Sequence, residues 1–207
     1  VLFRSFWQAI AKEFSTFKNI YGYGLMNEPH DLTPETSWFD MAQASINAIR
    51  EVDTNTLIMV GGNDWSSAER WIEQSDTLKY LKDPANNLAF EAHVYFDKDA
   101  SGTYKYSYEE EECYPEKGID RVKPFVEWIK QNKFHGFIGE YGIPDNDPRW
   151  NETLDLFLGY LQENGINGTY WAAGPWWDTY FMAITPKDGK DRPQMPIIEK
   201  YTSTLKK

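Results

Sequence analysis

Tyr21-Gly22-Tyr23-Gly24-Leu25-Met26, running into Asn27-Glu28-Pro29-His30, is the stretch from which the rest of this chain can be read. Residues 21–26 predict a short buried strand that stops abruptly at polar residues. Pro29 lacks an N–H and pushes the residue before it toward extended geometry, so the strand cannot simply run on. Asn27 and Glu28 therefore fall at its C-terminal tip, where α/β barrels keep their chemistry. Taken alone, so short a motif favours a plainer reading, with Asn27 capping a turn and Glu28 solvated.

A second stretch, Phe137-Ile138-Gly139-Glu140-Tyr141-Gly142, reverses that preference. It has the same form: a short apolar strand, a glutamate, and a glycine-marked turn. Two carboxylates at the tips of two buried strands are the minimum equipment of a glycosidase, one as proton donor and one as nucleophile or base.

The composition allows this chemistry and excludes others. The 207 residues suffice for one domain with a sizeable core. The net charge of −11, from 32 acidic and 21 basic side chains, disfavours nucleic acid and anionic membranes and suits a neutral partner. No apolar run approaches the roughly 20 residues of a membrane helix, and no signal peptide is visible. The chain starts at Val1, not Met, which predicts a start inside a longer product. The lone Cys113 has no partner for a disulfide within the chain. Nine tryptophans are present, and Trp65, Trp176 and Trp177 sit beside Gly, Pro or Asp in expected loops. Flat rings there suit the apolar C–H face of a β-linked sugar.

The alternation of elements extends along the chain. An amphipathic helix is expected over residues 1–17, then the strand at 21–26. Thr33 is expected as the N-cap of a helix reaching about residue 52, with Pro34 at its first position. A strand at 56–60 ends in Gly61-Gly62. Ser66 and Glu69 suggest a capping box for a helix carrying Trp71 and Ile72. A strand at 88–94 delivers His93 and Tyr95. The long loop after it contains Glu109-Glu110-Glu111-Glu112, read as a solvated face because adjacent carboxylates repel; the ligand spacing of a calcium site is lacking. Asp120 is expected to cap the next helix, followed by a strand at 136–139 carrying Glu140. A helix then starts at Asp147-Pro148, with Trp150, Leu154, Phe157, Leu158 and Leu161 inward and Gly165 as its stop. A strand at 168–172 precedes the loop Gly174-Pro175-Trp176-Trp177-Asp178, and a last helix is expected over 194–205.

Helix–strand alternation of this kind predicts α/β with a parallel sheet. The glycine-rich phosphate loop of a doubly wound sheet is absent after the first strand. Five strands are expected where a closed (β/α)8 barrel needs eight and typically about 250 residues. The chain therefore reads as the C-terminal part of a TIM barrel, the fourth to eighth strands, forming a single partial catalytic domain over residues 1–207.

Asn27-Glu28-Pro29, His93-x-Tyr95, Gly139-Glu140-Tyr141-Gly142 and Trp171 at the end of the last strand, in this order, resemble glycoside hydrolase family 5, the cellulase-type enzymes. The resemblance covers nearly the whole chain. It implies a retaining endo-β-1,4-glucanase that cleaves cellulose-like glucans by double displacement, with Glu28 as general acid/base and Glu140 as nucleophile. It further implies that Asn27 bonds the sugar 2-hydroxyl, that Tyr95 holds Glu140 ionised, that His93 lines the same subsite, and that Trp171 is the platform under the cleaved sugar. Neither cofactor nor metal is implied, and no two histidines have the spacing of a zinc site. Secretion is expected. Mannanase, xyloglucanase and mixed-linkage glucanase remain alternatives within the family. A non-catalytic carbohydrate-binding half-barrel, or a fragment that assembles through strand edges, remains outside it.

Read without the resemblance, His93, Tyr95 and Trp171 are as well explained as core residues, and His30 and His135 as structural or surface ones. The family also uses an arginine and a histidine on early strands for which this chain has no segment. The implied partners are therefore a β-glucan and, for the open sheet edges, a complementary N-terminal barrel fragment or a second copy of the chain.

Overall fold

The computed structural model describes residues 2–33 and 35–202. Pro34 and the end of the expected last helix lie outside the described residues. Five strands, β1 (Gly22–Gly24), β2 (Leu57–Gly61), β3 (Leu88–Tyr95), β4 (His135–Gly142) and β5 (Asn167–Tyr170), form one sheet in sequence order. β1 pairs in parallel with β2, Tyr23 opposite Ile58, and β2 with β3, Met59 opposite Ala89. Strand order without reversal has no switch point, which sets it apart from a doubly wound sheet. The fold class is α/β of the (β/α)8 TIM-barrel type, with five of its strands among the described residues.

Helices precede, connect and follow the strands: α1 (Leu2–Phe14), α2 (Trp38–Arg50), the one-turn α3 (Asn63–Ser66), α4 (Trp71–Ser75), α5 (Lys117–Asn132), α6 (Arg149–Glu163) and α7 (Met195–Tyr201). Two compact units result. One comprises Val1–Ala92 with Phe125–Phe137, the other His93–Pro124 with Ile138–Lys207. Among the described residues no helix is long and apolar enough to cross a membrane.

The first unit is built on aromatic packing. Trp71 is fully buried, with Phe125 at 4.7 Å and Trp128 at 5.4 Å between ring centroids, both edge-on. Two indoles serve the sheet directly. Trp7 Nε1 donates to Leu25 O (3.1 Å) and Trp38 Nε1 to Gly61 O (2.8 Å), so carbonyls at the C-terminal ends of β1 and β2 have donors where the strands stop.

Asp53 ties the approach to β2 to Tyr23 of β1. Its carboxylate accepts from the backbone N–H of Asn55 and Thr56, from Thr56 Oγ1 (2.7 Å) and from the Tyr23 hydroxyl (2.9 Å). Burial alone would push this carboxyl up; the hydrogen bonds outweigh it and bring it down to about 2. A carboxyl depressed in the folded state contributes stability above its unfolded value, near 3.8, and loses it as pH falls toward 2. Asp53→Asn is accordingly expected to cost about 2 kcal/mol at pH 7. It should also flatten the pH dependence of the urea midpoint between those values. An unchanged acid limb in urea titrations would remove Asp53 from this role.

The second unit is organised by α6. Trp150, Leu154, Phe157, Leu158 and Leu161 are all buried, as their spacing predicts. Gly165, at φ +66°, ends the helix in a Schellman motif: its N–H reaches Gln162 O at 3.1 Å, and Ile166 N–H reaches Leu161 O at 3.0 Å.

Four sequence expectations are corrected. α2 starts at Trp38 with Ser37 as N-cap, its Oγ accepting from Asp40 N (3.2 Å), not at Thr33. Thr33 instead closes a separate turn, accepting from Thr36 N at 2.8 Å. Ser66 and Glu69 do not start the helix carrying Trp71, because α4 begins at Trp71 with Arg70 at the N-cap position, while the buried Ser66 donates to Gly62 O. Asp120 lies inside α5, where it accepts from the Tyr114 hydroxyl (2.8 Å), so it caps nothing. The acidic run is not uniformly solvated: Glu111 is buried and accepts from Lys98 N (2.8 Å) and Tyr106 N (2.9 Å), ordering the loop from within.

Candidate active site

The second unit gathers three of the expected residues. His93 and Tyr95, two apart on β3, share one face of the strand. The Tyr95 hydroxyl donates to Glu140 Oε2 at 2.6 Å, and His93 Nδ1 lies 3.7 Å from the same oxygen. Glu140 stands within β4, which runs on to Gly142, and not just past a strand ending at 139. A side chain on the strand itself is aimed more rigidly than one on a loop. His93 and Tyr95 are buried, and Glu140 is mostly so.

Tyr95 suits the task of a permanent donor. Burial, and then the charge of Glu140, hold its hydroxyl far above the ordinary phenol value, so it stays protonated at any working pH. A short, charge-assisted hydrogen bond of this kind favours the ionised form of its acceptor. Tyr180, which no sequence pattern marks, joins the group. Burial raises its hydroxyl, the Glu140 charge adds to this, and a hydrogen bond with the Trp171 indole opposes it.

Trp171 follows β5 directly. Its N–H donates to Tyr141 O (2.8 Å), and the peptide bond from Trp171 to Ala172 is cis. Gly142 gives the Trp171 carbonyl room, since a Cβ there would collide with it. Trp171 and Trp177 pack edge to face at 5.0 Å, which leaves Trp177 half-buried, whereas Trp176 is 90% exposed.

The first unit holds Asn27, Glu28 and Trp65. Asn27 is exposed and Glu28 half-buried, just beyond β1. The expectation of extended geometry before Pro29 fails at Glu28, whose φ is +47°. A non-glycine residue there costs on the order of 1–3 kcal/mol, and such residues cluster at functional sites. The tip is held in place by its surroundings. Pro29 is buried, its carbonyl accepts from Trp65 N (3.3 Å), and Gly61 has no Cβ to strike Met26 O.

Asp64, Trp65 and Ser66 are all left-handed, at φ 55°, 56° and 55°. This turn presents the Trp65 indole, 42% exposed, with the His30 ring stacked on it at 4.5 Å. His30 thus packs on one of the expected site residues, a contact that its sequence position does not disclose.

The second unit thus holds a mostly buried carboxylate bonded by a tyrosine, and the first a left-handed glutamate just past a strand and an exposed indole. The family model for cellulase (glycosyl hydrolase family 5) matches residues 2–176. The chain belongs to glycosyl hydrolase family 5.

It is 36% identical over 192 residues to endo-beta-1,4-glucanase B of Emericella nidulans, covering 90% of this chain and 56% of that protein. The solved structure of Pseudomonas stutzeri endoglucanase Cel5A in complex with cellobiose superimposes with a TM-score of 0.90 at 42% identity, over 98% of this chain and 60% of that one. XacCel5A in complex with cellopentaose gives 0.87 at 38% identity, over 97% and 65%. The chain thus spans somewhat over half the length of the curated relative it matches.

Proposed function

We propose that this chain carries the catalytic carboxylates of a retaining endo-β-1,4-glucanase that cleaves cellulose-like glucans by double displacement. The observation that supports this best is the 2.6 Å hydrogen bond from Tyr95 to Glu140, which suits a carboxylate that must be ionised to attack. Glu140 attacks the anomeric carbon, and the glycosidic oxygen leaves with a proton from Glu28. Water then takes up the glycosyl group, giving its proton to Glu28 as the C–O bond to Glu140 breaks. For this retaining course the two carboxyl groups need to stand about 5–5.5 Å apart.

Asn27 bonds the sugar 2-hydroxyl, His93 lines the same subsite, and Trp171 lies under the cleaved sugar. Trp65, Trp176 and Trp177 serve flanking sugars. The β-1,4-glucan preference follows the names and bound oligosaccharides of the relatives. Secretion goes with a polymer substrate. We include in the proposal that residues 1–207 are one partial catalytic domain, completed by an N-terminal barrel fragment or a second copy of the chain.

The test is reducing-sugar release from carboxymethyl-cellulose, with mannan, xyloglucan and mixed-linkage glucan in parallel and Glu140→Ala as control. Release from cellulose derivatives that disappears in the control supports the reading. Faster release from mannan or xyloglucan would move the specificity. Glucan binding with no release, both alone and after addition of a relative's N-terminal barrel half, would make the chain a binding module.

A further inference from the structure

We infer that Tyr104 is a positioning residue for Glu140, fixing the offset between the ends of β3 and β4 on which the Tyr95–Glu140 hydrogen bond depends. This rests on the proposed function for its catalytic consequence, but not for its geometry.

Tyr104 is buried in the loop after β3, and its hydroxyl does two things at once. It accepts from Phe96 N (2.9 Å), the residue next to Tyr95, and donates to Gly142 O (2.6 Å), two residues beyond Glu140. Past Tyr95 and Gly142 both strands have ended, so one phenol sets the distance between the two main chains there.

The loop is shaped for this purpose. Asp97, fully buried, accepts from the N–H groups of Gly102 (3.1 Å), Thr103 (3.0 Å) and Tyr104 (3.2 Å) and from Ser101 Oγ (3.1 Å). That turn lays Gly102, at φ +72°, against the Tyr95 ring, where a Cβ would come within 2.9–3.0 Å. Arg121 closes the same corner by donating to Tyr95 O and to Lys98 O (3.0 Å). The Tyr104 ring is gripped edge-on by Trp150 at 5.0 Å. Burial, then the Asp97 charge, hold its hydroxyl protonated, so the donor to Gly142 is always present.

Loosening this clamp weakens the hydrogen bond to ionised Glu140, which raises the carboxyl's pKa. The groups facing Glu140 are His93 and Tyr95 from β3, the neutral Tyr180, whose hydroxyl the Glu140 charge raises, and Glu28 in the proposed mechanism.

Tyr104→Phe keeps the ring and removes both hydrogen bonds. It is expected to lower kcat by about 10-fold with KM nearly unchanged. The acidic limb of kcat/KM should rise by about one unit. Gly102→Ala, acting through Tyr95, should move the limb the same way. Tyr108→Phe is the control: it removes a buried hydrogen bond to Thr153 from the same loop and touches neither strand end. Its stability loss should leave the limb in place.

The direct readout is the titration of Glu140 by carboxyl-13C NMR, assigned with Glu140→Gln, which needs no turnover. An upward shift in Tyr104→Phe and none in Tyr108→Phe supports the inference. An unmoved titration in Tyr104→Phe, or an equal shift in Tyr108→Phe, overturns it. A wild-type chain that hydrolyses nothing, yet whose Glu140 titration moves with Tyr104, counts against the proposed function and supports the clamp. An active wild type with an unmoved titration does the reverse.

Discussion

Glu140→Ala is expected to reduce glucan hydrolysis by about 10⁴- to 10⁶-fold, the range in which removal of a nucleophile falls. Affinity for cello-oligosaccharides should change less than about threefold, because the carboxylate gains its large interaction only as the bond to carbon forms. Isothermal titration with cellopentaose measures the second quantity and far-UV circular dichroism checks the fold. Azide separates a lost nucleophile from a damaged site. It is small enough to enter the space left by the carboxylate and should restore turnover of an activated aryl cellobioside. Attack from the nucleophile's side yields the glycosyl azide of inverted configuration, with the phenolate leaving. Binding and folding lost together, with no azide rescue, would strip Glu140 of this role.

The strand positions of His93, Tyr95 and Glu140 were legible in the sequence because their signals are local. A strand has period two, so His93-x-Tyr95 puts both side chains on one face whatever surrounds them. The apolar stripe of α6 and the glycine at its end have the same self-contained character. What escaped depends on partners distant in the chain. Tyr104 reaches Gly142 across 38 residues, and Glu111 is buried because the backbone N–H groups of Lys98 and Tyr106 point at it. No composition rule could separate Glu111 from its three exposed neighbours.

The helix starts failed for another reason. Thr33 and Ser66 are good cap residues by type, but a hydroxyl can satisfy any nearby backbone group, and Ser66 takes one in its own turn. The left-handed backbone at Glu28 and at Asp64–Ser66 was hidden because side chains at these positions oppose it. It is the tertiary packing of Pro29, Gly61 and Trp65 that over-determines it.

The strained position of Glu28 leads to the second large effect. Glu28→Gln keeps the size of the side chain and its capacity for hydrogen bonding but removes the transferable proton. Hydrolysis of carboxymethyl-cellulose is expected to fall by about 10²- to 10⁴-fold, the usual contribution of general acid–base catalysis. Dinitrophenyl cellobioside needs no proton on its leaving oxygen, so formation of the glycosyl-enzyme should be slowed by less than about 10-fold. Its breakdown, which needs a base to deprotonate water, should then limit the rate. Stopped-flow traces should show a burst of dinitrophenolate followed by slow turnover, and mass spectrometry should find the glycosyl group on the peptide carrying Glu140. Azide, which needs no base, should relieve the slow step and give the glycosyl azide of retained configuration. The opposite stereochemistry of the two rescues ties each glutamate to one face of the sugar. An equal fractional loss on both substrates, with no burst, would leave Glu28 as a binding residue and require the proton donor to be sought elsewhere.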